Sequence, residues 1–205
     1  MKASTFISIA VLCASSVLAS ESLTCKTYSS HALKWKASDD SGGHGYLSFS
    51  NRKDHDGAPI ATTRESDGSP AKPIVFTWAT CSAPKGKPGY MGYGSGSKSN
   101  GVQYGHVQLK SDAKKCLAAA QLKPKSGTYF RLEDCTNEDT SEQLSWFFEE
   151  AGNGITISFL GHRNGTTDEN YELKVGDGKG RPLQLDYVGA KKPHSSVFLN
   201  WLPTD

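Results

Sequence analysis

The chain has 205 residues, with 23 lysines and arginines against 21 aspartates and glutamates, which gives a formal net charge of +2. This balance excludes the strongly basic composition of a dedicated nucleic-acid-binding protein and the acidic composition of a disordered tail. Hydrophobic residues make up 36% of the chain, which excludes a protein with several membrane spans. The length favours one domain, and 21 glycines and 9 prolines indicate that it is rich in loops.

The first 19 residues have the pattern of a secretory signal peptide. Lys2 supplies the positive charge, an apolar stretch follows at 6–18, and Val17-Leu18-Ala19 has the small residues of a cleavage site. The apolar stretch is too short to span a bilayer. We therefore expect residues 20–205 to be a single secreted, extracellular domain with no membrane insertion.

Short strand patterns follow one another along the rest of the chain. These segments are β-branched, aromatic or alternating, and Gly, Pro, Asn or Asp separates almost every pair. They lie at 46–49, 74–78, 106–109, 116–119, 129–132, 146–148, 155–159, 171–175, 183–185 and 197–201. In no longer stretch of the sequence do apolar residues recur with the period of a helix. The alanine-rich segment 113–122 is predicted to be a strand and a loop. Many short strands at this spacing predict an all-β barrel or sandwich.

Two loops carry side chains that could bind a ligand. The segment 54–57 (Asp-His-Asp-Gly) matches half of a calcium-binding loop, but it lacks the terminal acidic ligand, so we predict a solvated turn. The Gly- and Ser-rich tract 86–101 contains Tyr90 and Tyr93 and lacks the Gly-Lys-Ser/Thr of a phosphate-binding loop. It either connects two repeats or presents its tyrosines to a ligand.

One pattern recurs three times at intervals of about 50 residues. A hydrophobic residue, any residue, a second hydrophobic residue, two more residues and a Cys or Val form each copy. The copies begin at Phe76, Phe130 and Leu183, which we expect to be structurally equivalent. They divide the chain into units at approximately 25–102, 103–150 and 151–205, each with about four strands. Three such units predict a β-trefoil, a six-stranded barrel capped by three hairpins.

Four cysteines remain once the predicted signal peptide, with its Cys13, is removed. An even number of cysteines in a secreted chain indicates two disulfides, and three pairings are conceivable. Cys116 and Cys135 lie 19 residues apart across a predicted hairpin, which favours that pair and leaves Cys25 with Cys81. The absence of Cys-x-x-Cys spacing argues against a metal site.

The middle unit resembles the ricin B-type lectin family. Its Cys-Leu at 116–117, Phe-Arg-Leu-Glu-Asp-Cys at 130–135 and Gln-Leu-Ser-Trp at 143–146 follow the order of the motifs in that family. The last motif has one residue more than the family's Gln-x-Trp. The resemblance covers about 45 residues as motifs and most of the mature chain as a pattern. It implies a β-trefoil, a disulfide between the two strands, and a structural role for the Gln and Trp.

The family binds sugars in a shallow pocket on each repeat, with a stacking aromatic side chain and a few polar groups. The corresponding positions are degenerate in this chain. They hold Ala118, Glu133 and Glu142 in the second unit, Asp186 in the third and Ala79 in the first. We therefore expect a displaced carbohydrate site that uses exposed tyrosines, and we expect replacement of Glu133 to have little effect. The candidate carbohydrate-binding residues are Tyr90, Tyr93, Glu133, Gln143, Asp186 and Tyr187.

The resemblance implies a secreted, non-catalytic protein that binds a carbohydrate or a glycoprotein. The alternative is a protein-binding trefoil without sugar binding, such as a protease inhibitor or a secreted host-interaction protein. The six histidines are scattered, and neither His-Glu-x-x-His nor Gly-x-Ser-x-Gly is present, so we expect no enzyme, cofactor, metal or nucleic-acid partner. The Asn-Gly-Thr at 164–166 predicts N-glycosylation at Asn164.

Overall fold

The computed structural model of the protein describes residues 23–36, 44–82, 103–122, 126–137, 146–151, 154–159, 171–178, 180–189 and 198–202. The predicted signal peptide at 1–19, the tyrosine-containing tract 86–101 and the predicted glycosylation site Asn164 lie outside these residues.

The described residues form eleven β-strands and no α-helix, which confirms the predicted all-β class. The strands are β1 (Thr24–Lys36), β2 (His44–Tyr46), β3 (Val75–Ser82), β4 (Gln103–Leu109), β5 (Asp112–Ala119), β6 (Thr128–Asp134), β7 (Trp146–Ala151), β8 (Gly154–Phe159), β9 (Tyr171–Val175), β10 (Leu183–Tyr187) and β11 (Phe198–Leu202). The alanine-rich segment 113–122 is extended through β5, as predicted. Within the described ranges, no helix is long and apolar enough to cross a membrane.

Six of the strands pair antiparallel in a closed circuit. β1 pairs with β3, β3 with β4, β4 with β7, β7 with β8, β8 with β11, and β11 pairs with β1 again. Each of these six strands is therefore hydrogen-bonded to a neighbour on both sides, which protects its backbone groups from pairing with other chains.

Three further antiparallel pairs lie outside this circuit, and β6 of one of them also pairs with β10 of another. β5 pairs with β6, and β9 pairs with β10. The third pair is shorter, and in it Ser48 and Thr62 exchange two backbone hydrogen bonds of 2.8 Å. The three pairs meet at a junction of Ala61, Phe130 and Leu183. The Ala61 N–H donates to the Phe130 carbonyl, and the Leu183 N–H donates to the Ala61 carbonyl, each at 2.8 Å.

The backbone bridges around this junction follow a cyclic order. In each bridge, the residue before one junction residue pairs with the residue after another. The three bridges are Ile60 to Arg131, Tyr129 to Gln184 and Pro182 to Thr62. The same local arrangement of backbone therefore occurs three times around the junction.

The junction corrects the predicted equivalence of Phe76, Phe130 and Leu183. Phe130 and Leu183 belong to it, but its third member is Ala61, whereas Phe76 lies in β3 on the six-stranded circuit. The prediction was wrong because it assumed equal spacing. The chain between Ala61 and Phe130 is longer than the chain between Phe130 and Leu183. Counting back from Phe130 by the shorter interval therefore reaches Phe76 in β3, which follows Ala61 in the chain.

A single cluster of buried side chains joins the circuit to the three outer pairs. Side chains alternate in the first half of β3, where Phe76 and Trp78 are buried while Val75 and Thr77 are only partly buried. Phe130 of β6 packs edge-on against Phe159 of β8, with ring centroids 5.4 Å apart. Burial of each such large side chain contributes about 1.5–3 kcal/mol to the hydrophobic stabilisation.

Both predicted disulfides are present. Cys25 and Cys81 are directly opposed residues of β1 and β3, and they are bonded to each other. Cys116 of β5 is bonded to Cys135, the residue that follows β6. One disulfide therefore joins two neighbouring strands of the circuit, and the other lies within an outer pair.

The longest strand, β1, is not predicted by the sequence patterns. Its first half is polar and mostly exposed, so it lacks the apolar alternation that marks a half-buried strand. A register shift between Thr27 and Ser29 interrupts it further. The predicted strand at 46–49 is likewise reduced, because β2 ends at Tyr46 and Ser48 forms only an isolated bridge.

Candidate functional site

β6 presents a row of polar side chains on its outer face. Phe130 is fully buried and Leu132 is 7% exposed, so these two residues face the core. Because successive residues of a strand point to opposite faces, Tyr129, Arg131 and Glu133 lie on the other face. The alternation that builds the core thus also places an aromatic ring, a cation and a carboxylate side by side.

β10 repeats this arrangement and lies beside β6. Leu183 and Leu185 are fully buried, whereas Gln184 and Asp186 alternate with them on the outer face. Gln184 is the direct cross-strand partner of Tyr129. The two outer faces therefore form one continuous polar surface.

A turn between β2 and β3 approaches this surface from the side. The Oδ1 atom of Asp54 accepts hydrogen bonds from the backbone N–H groups of Asp56 at 3.0 Å and Ala58 at 2.8 Å. Such Asp side-chain bonds to the following backbone stabilise tight turns. Gly57 has φ of +80°, a conformation that glycine adopts without strain. The turn directs the other carboxylate oxygen of Asp54 toward β6.

Arg131 connects the turn to β6. Its Nη1 donates to Oδ2 of Asp54 at 2.5 Å and to Oδ2 of Asp56 at 3.1 Å. Its Nε donates to Oε1 of Glu133 at 2.5 Å. The Arg131 side chain is 16% exposed and that of Asp54 only 2%. Charge-assisted bonds of this kind are short and hold the guanidinium in one orientation.

The protonation states follow from these contacts. Burial acts to raise the pKa of Asp54, but the hydrogen bond from Arg131 and the backbone N–H of Ala58 outweigh it, so the pKa is lowered. Burial acts to lower the pKa of Arg131, yet the bonds to Asp54 and Glu133 raise it. Burial and the negative charge of Asp54 raise the pKa of Tyr129, whose hydroxyl lies 3.4 Å from Oδ2 of Asp54. Asp54 and Arg131 are therefore both charged, and Tyr129 keeps its proton.

A cleft of about 490 Å³ opens where these elements meet. Its volume lies within the range of about 300–1,000 Å³ that is typical of ligand sites. The lining residues come from the turn, the end of β5, β6 and β10: His55, Asp56, Ala120, Gln121, Ser126, Gly127, Thr128, Tyr129, Arg131, Gln184 and Asp186. The cleft offers hydrogen-bond donors, acceptors and the phenol ring of Tyr129, from β6, β10 and the loop segments beside them.

Two groups of described residues each bring three metal-ligating side-chain atoms within 4.8 Å of one another. One contains Cys25, Cys81 and His106, but its two sulfur atoms form a disulfide. The other contains Asp54, His55 and Asp56, and both of its carboxylates already accept hydrogen bonds from Arg131. Neither arrangement argues for a metal ion.

The structure describes three of the six predicted carbohydrate-binding residues. Asp186 lines the cleft, and its Oδ2 accepts a hydrogen bond from Lys174 at 2.8 Å. Glu133 holds Arg131 instead of lining the cleft. Tyr187 is partly buried and packs edge-on against Tyr171 at 5.9 Å. Tyr90, Tyr93 and Gln143 lie outside the described residues.

The positions that match the lectin family's pocket carry no stacking aromatic. Ala118 is fully buried and packs beside the Cys116–Cys135 disulfide. Glu133 and Asp186 both lie three residues after a junction residue, and the corresponding residue in the first unit is Arg64. Ala79, which the sequence places at this position, lies instead in β3 and is 1% exposed.

Sequence reasoning misses Asp54 and Arg131. The prediction of a solvated turn at 54–57 is wrong for Asp54, although His55 and Asp56 are exposed. Arg131 stands between two core residues of β6, so alternation indicates only that it faces outward. No local signal identifies its partner, because Asp54 lies 77 residues earlier in the chain.

Comparison with known proteins does not assign this chain to a family. No protein-family model matches it, and no curated protein is significantly similar to it.

Proposed function

We propose that the protein is a β-trefoil similar to ricin B-type lectins and that it acts as a secreted, non-catalytic carbohydrate-binding protein. The closed circuit of six strands and the three outer pairs support the trefoil. So do the three bridges in cyclic order around Ala61, Phe130 and Leu183. The two disulfides support an extracellular location, where such bonds persist.

The single observation that carries the proposed binding function is the polar cleft between β6, β10 and the turn at 54–57. Saccharides offer many hydroxyl groups and few apolar faces, so their sites need placed donors and acceptors near an aromatic ring. The cleft supplies the amides of Gln121 and Gln184, the carboxylates of Asp56 and Asp186, and the ring of Tyr129. It is the proposed site in place of the degenerate pocket of the family.

The charge states of the cleft support binding over catalysis. Glycoside hydrolysis needs one carboxylic acid that keeps its proton and one free carboxylate. Here the pKa of Asp54 is lowered, and Asp54 and Glu133 are both bonded to Arg131. Asp186 is bonded to Lys174. Because these carboxylates already form ion pairs, they do not suit the roles of a protonated general acid and a free carboxylate.

The test is a screen of purified residues 20–205 against a broad glycan panel, followed by calorimetry with the best ligand. We expect Gln184→Ala, which truncates a cleft side chain, to weaken binding about tenfold. Asp112→Asn is the control. Asp112 is the first residue of β5, and about 26 Å of extended chain separates it from Ala120, which lines the cleft.

The double variant Tyr90→Ala/Tyr93→Ala distinguishes the two candidate sites. If it abolishes binding while Gln184→Ala binds normally, the tyrosine-containing tract is the site and the cleft is not. If no glycan binds, carbohydrate recognition is the wrong function, and a protein-binding trefoil is the remaining alternative.

A further inference from the structure

The described side chains at the cleft carry a net charge opposite in sign to that of the whole chain. Its lining and the groups bonded to the lining include four carboxylates, those of Asp54, Asp56, Glu133 and Asp186. Two permanent cations face them, Arg131 and Lys174. Among the residues that the structure describes, the formal charge of this group is therefore −2, whereas the chain as a whole carries +2.

Arg131 cannot act there as a receptor for anions. Three bonds from its Nε and Nη1 go to carboxylates, which more than neutralise its charge. Its Nη2 donates to no other described residue, so it is available to a hydroxyl group of a ligand. The guanidinium thus serves as a neutralised hydrogen-bond donor fixed at the cleft.

Two of the carboxylates are accessible to solvent, and of these Asp56 already contacts Arg131 and His55 through its two oxygens. The side chains of Asp56 and Asp186 are 56% and 42% exposed. Asp186 uses Oδ2 to accept from Lys174, and its Oδ1 accepts from none of the described residues. A protonated amine on a ligand would find a partner at this oxygen.

We propose, building on the carbohydrate-binding function above, that the cleft prefers saccharides with a free amino group. Neutral saccharides rank second, and acidic saccharides bind most weakly. Asp56 and Asp186 determine this preference, because their charge attracts an ammonium group and repels a carboxylate or sulfate. Both side chains are partly exposed, so screening by water keeps the preference moderate, at about three- to tenfold.

The experiment compares three probes of equal length: a glucosamine tetramer, an N-acetylglucosamine tetramer and a galacturonate tetramer. Affinities are measured by calorimetry at a pH at which the glucosamine amine is protonated. We expect the amine probe to bind about three- to tenfold more tightly than the neutral probe at low salt. The ratio should fall as salt rises from about 0.01 M to about 1 M, because the screening length falls from about 30 Å to about 3 Å.

Variants with opposite effects on charge make the test specific. Asp56→Asn/Asp186→Asn should bring the ratio of amine to neutral affinity close to one, and Lys174→Gln should increase it. Asp112→Asn changes the net charge far from the cleft and should leave the ratio unchanged.

Equal binding of the amine and neutral probes, tightest binding of the acidic probe, or a ratio insensitive to these variants would overturn the preference while leaving carbohydrate binding intact. Failure of every saccharide to bind would instead remove the proposed function itself.

Discussion

At the scale of single residues, Asp54 and Arg131 show how burial and charge are reconciled. An arginine that is 16% exposed would be costly without partners, and it is held by carboxylates from two separate segments. The carboxylate of Asp54 is in turn held by two backbone N–H groups of its own turn. The pair therefore fixes the position of the turn relative to β6.

Replacing Asp54 by Asn should lower the free energy of unfolding by about 2 kcal/mol, because the buried Arg131 loses its most buried carboxylate partner. The effect should shrink in acid. A carboxyl group with a lowered folded pKa stabilises the protein above its unfolded pKa, and this stabilisation is lost as the pH falls through the folded value. Urea denaturation measures the difference, and a loss no larger than that of Asp112→Asn would contradict the prediction.

His106 is a second residue whose surroundings control its charge. It lies in β4, is 1% exposed, and burial lowers its pKa from 6.5 to about 4. The folded protein therefore holds this imidazole neutral over a pH range in which the unfolded chain protonates it.

The free energy of unfolding should consequently fall as the pH is lowered from 6.5 toward 4, by up to about 3 kcal/mol from this group. The stabilisation is complete above the unfolded pKa and is lost on the way down to the folded pKa. The free energy of unfolding of His106→Gln, measured by denaturation at each pH in this range, should vary less with pH than that of the unsubstituted protein. The exposed His55 provides the control, and an equal flattening in His55→Gln would argue against the assignment to His106.

At the scale of elements, alternation predicts some strands and not others. β6, β9 and β10 each combine one apolar face with one polar face, and all three are predicted from the sequence. β1 is not, because its polar first half and its bulge are held in place by hydrogen bonds to β3, which the side-chain pattern does not reveal. Where side chains do not alternate between apolar and polar, hydrogen bonding to a neighbouring strand thus determines whether a strand forms.

Gly105 of β4 lies directly against the backbone of β3. A Cβ atom at this position would lie 1.9 Å from the carbonyl oxygen of Ala79, which is backbone and cannot move aside. Gly105→Ala should therefore cost at least about 2 kcal/mol of unfolding free energy or prevent folding.

Gly178 is the matched comparison for this variant. It has φ of +88°, and a Cβ atom added there would meet no other atom within 4 Å, so Gly178→Ala reports backbone strain alone, at about 1 kcal/mol. Thermal unfolding of both variants compares the two costs, and equal losses would show that the close approach of the strands is not limiting.

At the scale of the whole molecule, the two disulfides constrain the unfolded chain by different amounts. Cys25–Cys81 spans 56 residues and Cys116–Cys135 spans 19. The longer loop loses more entropy on closure, so replacing each pair by alanines should cost about 4 kcal/mol and about 3 kcal/mol respectively. Guanidinium denaturation of the two paired variants gives the order. A larger loss for the Cys116–Cys135 pair would mean that packing at Cys116 outweighs loop entropy.

Local patterns in the amino-acid sequence are enough to predict the all-β class, most strand positions and the pairing of the cysteines. These depend on local alternation, on turn residues and on the short loop between Cys116 and Cys135. Only the tertiary structure decided that Ala61 joins Phe130 and Leu183, and that Asp54 meets Arg131. The physical reason is that such contacts join distant segments through strand register, and a one-residue change in register would turn every side chain to the opposite face.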